Sequence, residues 1–429
     1  MAAASTRSSV AGRGAGRPAS WDRRAHDDER PPTESELTEP VPPATGERRA
    51  PPGDASGAEL QQRAAAIHGD LPVVDGHNDL PWAIHVRADG DLDRADPRRH
   101  LEGYHTDIPR LLRGGVGGQF WSVYVPARTP SPLVATRRQI RLVHEMIRRD
   151  PHHLALASTA DDAERIRASG RIASFLGAEG GHSIEGSLAA VSELYDAGVR
   201  YMTLTHADTT DWADAATDEP RHGGLTEFGR AVVAEMNRVG MLVDISHVSS
   251  DTMRQAIEES RAPVVASHSN AQALAPHPRN LPDDILQMIG ATGGLVMVNF
   301  YPAFLVASAA ITALEMFDEE RSLMAELGDE RAVDEELRRR RRVLERGTVG
   351  DVADHIIYLT STMGVDHVGI GSDFDGVEVL PAGLDDASCY PALTIELLRR
   401  GWDERGVRKV LGENALRVLR AAEQTAVTA

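Results

Sequence analysis

Residues 241–270 decide the fold, opening with Met241-Leu242-Val243-Asp244-Ile245-Ser246-His247 and closing with Pro263-Val264-Val265-Ala266-Ser267-His268-Ser269-Asn270. Each of these two stretches begins with a short apolar run, 241–245 and 263–267, and the segment between them, 250–258, has helical spacing. Two short runs rich in β-branched residues, joined by one helix, predict a strand–helix–strand unit with parallel strands. A histidine follows each run within two residues, His247 and His268.

Outward from this unit the pattern repeats. Strands are predicted at 72–75, 118–125, 172–176, 201–205, 241–245, 263–267, 294–299 and 367–371, with helices at 137–149, 187–197, 227–239, 250–258, 282–290 and 352–363. Eight strands alternating with helices predict an α/β fold, a TIM-like (β/α)8 barrel. The stretch 303–349 is too long for a simple connection and is expected to be a helical insertion before the last strand. Its run of arginines at 338–342 stands beside many acids and reads as a solvated helix face. A terminal amphipathic helix is predicted at 405–422. Residues 1–57, dominated by Pro, Gly, Ser, Arg and acids, carry too little apolar surface to offset the entropy of ordering and are expected to be a disordered extension. The catalytic domain is expected over 58–429.

Composition excludes several classes. With 46 Lys plus Arg against 65 Asp plus Glu the formal net charge is −19, which argues against a nucleic-acid partner. The single cysteine, Cys389, permits no internal disulfide. The N-terminal residues lack the apolar core of a secretory signal, and the apolar segment 303–317 is shorter than a membrane span, so no span and a cytoplasmic location are expected.

In a (β/α)8 barrel reactive groups gather past the carboxyl ends of the strands. His77 and Asp79 follow the first predicted strand in Asp75-Gly76-His77-Asn78-Asp79, where a spacing of two puts both side chains on one face of an extended chain. Glu179 follows the third in Gly177-Ala178-Glu179-Gly180-Gly181, His247 the fifth and His268 the sixth. Two imidazoles sharing a carboxylate oxygen with a His-x-Asp pair are ligand types that zinc accepts, and Glu179 could bridge two ions. Asp373 follows the eighth strand in Gly371-Ser372-Asp373-Phe374-Asp375-Gly376 and is the candidate general acid/base. Any one of these alone is more often a helix cap or a turn residue than a ligand. Capping, however, does not require a convergent set of metal-compatible types. His182 and His222 lack a strand-end placement and read as surface or supporting residues.

These segments, with Leu204-Thr205-His206, Trp212-Ala213-Asp214, Arg279-Asn280-Leu281-Pro282-Asp283 and Gly412-Glu413-Asn414, resemble the membrane (renal) dipeptidase family of binuclear zinc peptidases, from about residue 72 to 418. The resemblance implies two zinc ions per subunit, His77 and Asp79 on one, His247 and His268 on the other, and Glu179 between them. It further implies that His206 meets the substrate carbonyl and its oxyanion, that Arg279 holds the dipeptide's carboxylate, that a C-terminal D-residue is tolerated, and that the chain forms a homodimer. From the residues alone, the favoured reading of Arg279 is a salt bridge to Asp283 or Asp284 on the following turn. The paired cysteines of the animal members have no counterpart in a chain with one cysteine, and neither their leader nor their lipid anchor is expected.

The mechanism expected on this basis is attack on the peptide carbon by a hydroxide held between two zinc ions about 3.5–4 Å apart, with Asp373 carrying the proton to the leaving amine. Two alternatives are a related metal-dependent amidohydrolase acting on a cyclic amide, a lactone or an aminated ring, and a catalytically silent metal-binding barrel. Many such amidohydrolases bridge their metals with a modified lysine, so Glu179 favours the dipeptidase. Asp373, His206 and Arg279 weigh against the silent barrel.

Overall fold

The computed structural model describes residues 56–327, 336 and 343–426. The predicted disordered extension therefore lies, as far as residue 55, outside the described residues, as does the arginine run 338–342. Ser56 caps a helix over Gly57–His68, its side chain accepting the backbone N–H of Glu59.

Nine parallel strands follow: β1 Val73–Asn78, β2 Val116–Ser122, β3 Leu154–Leu156, β4 Ile172–Glu179, β5 Val199–Thr203, β6 Leu242–Asp244, β7 Val265–Ala266, β8 Leu295–Val298 and β9 Val368–Ile370. Pairing of β1 with both β2 and β9, and of β2 with β4, closes eight of them into a barrel in the order β1-β2-β4-β5-β6-β7-β8-β9. The predicted (β/α)8 architecture is therefore the observed one. The ninth strand, β3, was not expected. It pairs with the first residues of β4, Leu154 to Ile172 through Leu156 to Ser174, while β5 takes the same edge further along, from Leu176 to Glu179. Three residues are too few for a period-2 signal to emerge from the sequence.

Inside the barrel, alternate strand residues meet in one apolar cluster containing Val74, Phe120, Phe175, Tyr201, Leu242, Val265, Leu295 and Met297. Leu416 and Leu419 of the terminal helix Asn414–Thr425 join it. The predicted tail helix is thus present. A π-turn over Lys409–Glu413 interrupts it where Gly412 passes the start of β1, and a Cβ there would come within 2.3 Å of the Pro72 carbonyl oxygen. The insertion is helical over Pro302–Leu305 and Ala307–Leu327. It follows β8 and precedes the helix Val349–Met363 that leads to β9, which puts Phe304 and Met316 at the mouth of the barrel.

Candidate metal centre and substrate cleft

The carboxyl ends of the strands bring His77, Asp79, Glu179, His206, His247, His268 and Asp373 together, as three overlapping groups whose ligand atoms lie within 4.8 Å of one another. His77 belongs to β1 itself, and Asp79 sits one residue beyond it, at the start of the helix Leu80–Ala88. Asp79 has left the extended conformation (φ −96°, ψ 17°), so the pair meets across a turn rather than along one strand face, with His77 Nε2 3.0 Å from Asp79 Oδ2. Glu179 is the last residue of β4, and His247, His268 and Asp373 lie in the loops after β6, β7 and β9. His247 and Asp373 have φ of 68° and 64°, in the left-handed region where few non-glycine residues are found.

The two oxygens of Glu179 face different partners. Oε2 lies 3.3 Å from His77 Nε2 and accepts the Ser122 hydroxyl at 3.0 Å. Oε1 lies 3.1 Å from His247 Nε2, 3.5 Å from His268 Nε2 and 3.6 Å from His206 Nε2. The Nε2 atoms of His247 and His268 are themselves 2.8 Å apart. Burial pushes both imidazoles well below their ordinary range, so these converging nitrogens belong to neutral rings.

Hydrogen bonds outside the cluster determine which nitrogen of His268 faces inward. Ser267 Oγ donates its one proton to Asp244 Oδ2 at 2.6 Å and lies 2.8 Å from His268 Nδ1. The imidazole must therefore donate from Nδ1, which leaves Nε2 as a bare lone pair aimed at the centre. Asp244 is buried and fully engaged, taking the Thr203 hydroxyl as well as the backbone N–H groups of Ser246 and Ser267. Asp75 repeats this arrangement on the opposite side of the barrel, accepting the N–H and hydroxyl of Ser372, the N–H of His77 and the Tyr390 hydroxyl. Tyr201 hydrogen-bonds His77 Nδ1 at 2.8 Å.

This donor set fits divalent cations. Asp79, Glu179 and Asp373 are all buried, and Asp79 Oδ1 has no hydrogen-bond partner. Protons supply the compensating positive charge in the protein alone. Burial opposes the charged form of His77, but Tyr201, Glu179 and Asp79 raise it well above the ordinary histidine range. Burial would likewise raise Glu179, yet His77 and the hydrogen bond from His247 hold it well below the carboxylate range. Asp373 is pushed up to about 8 by burial, with Asp79 and Glu179 adding to the rise and His77 opposing it. Four imidazoles and three carboxylates gathered in one cluster are hard-to-borderline donors suited to zinc.

Beside the cluster a cleft of about 710 Å3 is walled by Trp82, Tyr124 and Tyr301, among others, and reached by His206, Arg279 and Asp373. Arg279 is buried and donates to Ser269 Oγ at 3.2 Å, while its Nε has no partner. Burial lowers it to about 10, so it remains a cation at neutral pH. It makes neither of the ion pairs open to it from sequence, because Asp284 pairs with Arg254 and Asp283 accepts the Tyr358 hydroxyl. His182 and His222 stay outside the cluster, bonded to the carbonyls of Val125 and Thr210.

Residues 61–429 match the family described as Membrane dipeptidase (Peptidase family M19). The chain belongs to that family. It is a dipeptidase of the metallopeptidase class, as the resemblance in its sequence implied. Dipeptidase aclJ of Aspergillus oryzae is 43% identical over 370 residues, 83% of this chain and 79% of the relative. Dipeptidase verJ of Clonostachys rogersoniana is 37% identical over 378 residues, 85% of this chain and 88% of the relative. Among solved structures, a metallopeptidase from Rhodobacter sphaeroides liganded with a phosphinate mimic of L-Ala-D-Ala is 26% identical, with a TM-score of 0.66 over 82% of this chain and 99% of its own. No helix among the described residues of the dipeptidase is long and apolar enough to cross a membrane.

The supporting residues Asp75, Asp244, Ser267, Tyr201 and Ser372, together with Asn299, whose Nδ2 donates to Asp373 Oδ2 at 2.9 Å, are not among the candidates the sequence offers. The one available signal was an acid at the end of an apolar strand, Asp75 and Asp244, which must find partners if buried. Which partners they find is a matter of tertiary structure.

Proposed function

We propose that the chain hydrolyses dipeptides at a centre of two zinc ions, with His77 and Asp79 holding one, His247 and His268 the other, and Glu179 both. One observation carries the proposal: the two oxygens of a single buried glutamate face two separate sets of donors. When bound, such ions polarise a carbonyl and lower the pKa of a coordinated water.

The chain's own residues account for the rest. Arg279 presents a planar, permanently charged fork that grips the α-carboxylate of the C-terminal residue, and its fixed distance from the cluster selects substrates two residues long. A chamber of about 450 Å3 adjoins the cleft at Arg279 and Phe304 and has room for that residue's side chain. The Rhodobacter sphaeroides structure, liganded with a mimic of L-Ala-D-Ala, supports acceptance of a D-residue there. His206, which burial keeps neutral at pH 7, lies 3.6 Å from Glu179 Oε1 and donates a hydrogen bond to the carbonyl oxygen as its charge grows. Asp373, held through Oδ2 by Asn299 Nδ2 at 2.9 Å, takes the proton of the attacking water and returns it to the leaving amine.

Metal analysis of the purified protein, with hydrolysis assays on L,L- and L,D-dipeptides, tests this function. Two zinc ions per chain and cleavage are expected. Asp373→Asn should keep the metal and lose at least about a thousandfold in kcat. Metal bound without cleavage of any dipeptide would overturn the assignment.

A further inference from the structure

Asp373 stands in a loop with unusual backbone geometry. Asp373 and Asp375 have φ of 64° and 67°, so two non-glycine residues within three positions occupy the left-handed region. Such conformations persist only where surrounding contacts over-determine them. On its inner side the loop is tied to β1 and the residue after it, by Asp373 N–H to the His77 carbonyl at 3.1 Å and by Asp79 N–H to the Phe374 carbonyl at 2.9 Å. Those bonds hold Asp373 and Phe374 and leave Asp375 unattached.

The outer tie is a reciprocal pair with His105. The backbone N–H of His105 donates to Asp375 Oδ1 at 2.8 Å, and the backbone N–H of Asp375 donates to His105 Nδ1 at 3.0 Å. His105 is 270 residues away in sequence and belongs to the connection between the first two helices after β1. That connection is rigid in its own right. Asp107 accepts the Leu101 N–H and Arg110 Nε, Thr106 accepts Asn78 Nδ2 at 2.8 Å, and the His105 carbonyl accepts the Ala387 N–H at 3.0 Å. Burial lowers His105 to about 4 and so keeps it neutral, and the N–H that Asp375 donates makes Nδ1 the nitrogen with the lone pair. The proton-transfer role of Asp373 makes no use of either His105 or Asp375.

We infer that His105 and Asp375 are positioning residues: their reciprocal hydrogen bonds hold the loop after β9 so that the Asp373 carboxylate points at the reacting centre. Neither residue lines the cleft or belongs to the ligand cluster, and the pair acts through the loop alone. Asp375 acts on the loop as a hydrogen-bond acceptor: Oδ1 takes the His105 N–H, and burial raises its carboxyl to about 6 against the hydrogen bonds of His105 and Thr106 and the charges of Arg87 and Arg110. The inference rests on the proposed role of Asp373, and its test separates the two.

Four variants, Asp375→Ala, Asp375→Asn, His105→Ala and His105→Asn, would be assayed beside Asp373→Asn on one dipeptide, with bound zinc measured for each. Misplacing a reacting group by about an ångström costs on the order of a hundredfold in rate. Asp375→Ala and His105→Ala should therefore lose about 10–100-fold in kcat, with KM and zinc content within about twofold of the parent. Asp375→Asn and His105→Asn each keep an acceptor oxygen in place and should recover to within about threefold. The inference is overturned if the alanine variants keep full kcat, if their loss tracks loss of zinc, or if the asparagine variants, which retain the fold where alanine does not, are as slow as the alanine ones. Full turnover by Asp373→Asn would instead refute the role of Asp373 itself.

Discussion

Replacing Ser267 by alanine isolates the contribution of one hydroxyl to metal binding. Among the described residues its Oγ is the one hydrogen-bond partner of His268 Nδ1, and it is held in that role by donating to Asp244 Oδ2 at 2.6 Å. Without it the Nδ1–H of a buried imidazole loses its acceptor, which costs the metal-free fold about 1–3 kcal/mol. Asp244 loses less, because the Thr203 hydroxyl at 2.6 Å and two backbone N–H groups remain. The tautomer with a bare Nε2 is then no longer enforced, and loss of such outer partners typically weakens metal affinity about 10–100-fold, or about 1.4–2.7 kcal/mol. Competition with a chromogenic chelator measures that affinity directly. Thr203→Val is the control, since it removes a hydroxyl from the same carboxylate without touching His268; it should lower the melting temperature but leave zinc affinity within about threefold. The reasoning fails if Ser267→Ala binds zinc as tightly as the parent, or if Thr203→Val weakens zinc to the same degree.

A second prediction concerns pH. His355 Nδ1 accepts the Ala271 N–H at 3.2 Å and Nε2 meets the Leu305 carbonyl at 3.1 Å, so the buried ring is neutral and burial lowers it from 6.5 to about 4. Between those values the unfolded chain binds a proton that the fold excludes, so stability is complete above pH 6.5 and declines as pH falls toward 4, by about 2 kcal/mol at pH 5. His355→Gln should flatten this slope in denaturant titrations, and an unchanged slope would remove His355 as its source. Gly376→Ala would place a Cβ 2.3 Å from Asp79 Oδ2 and 2.4 Å from Asp373 Oδ1, and is expected to cost zinc binding and at least about a hundredfold in turnover. Retention of both would show that the loop yields. Arg279→Met keeps the aliphatic stem of the side chain and removes the guanidinium, so kcat/KM for dipeptides should fall about 10–150-fold, the equivalent of one charged hydrogen bond. Dipeptide amides, which lack the carboxylate, should be cleaved equally by parent and variant; a drop for the amides too would indicate damage rather than lost recognition.

Much of the site is legible in the sequence because a barrel couples local order to position. Each βα unit must run its strand in the same direction, so a polar residue at the carboxyl end of any apolar run arrives at the same mouth. That is why His77, Glu179, His247, His268 and Asp373, spread over some three hundred residues, are visible as a set before any coordinates. Helices with strong periodicity are equally readable, and 227–239 matches the observed Glu227–Val239.

Other features carry no local signature. The strand Leu154–Leu156 is too short for one, and exists because β4 leaves an edge open beside its first three residues. Asp79 faces His77 through a helix start rather than a strand, which spacing alone does not distinguish. The partners of Asp75 include Ser372, 297 residues away, and nothing near either residue names the other. The chain by itself thus determined the alternating strands and helices and the chemical types at their ends, since both follow from short-range periodicity. Only the closed barrel decided which hydroxyl fixes which imidazole and which two oxygens of Glu179 face which donors, because a hydrogen bond is settled by distances under about 3.5 Å between groups that only the complete fold brings together.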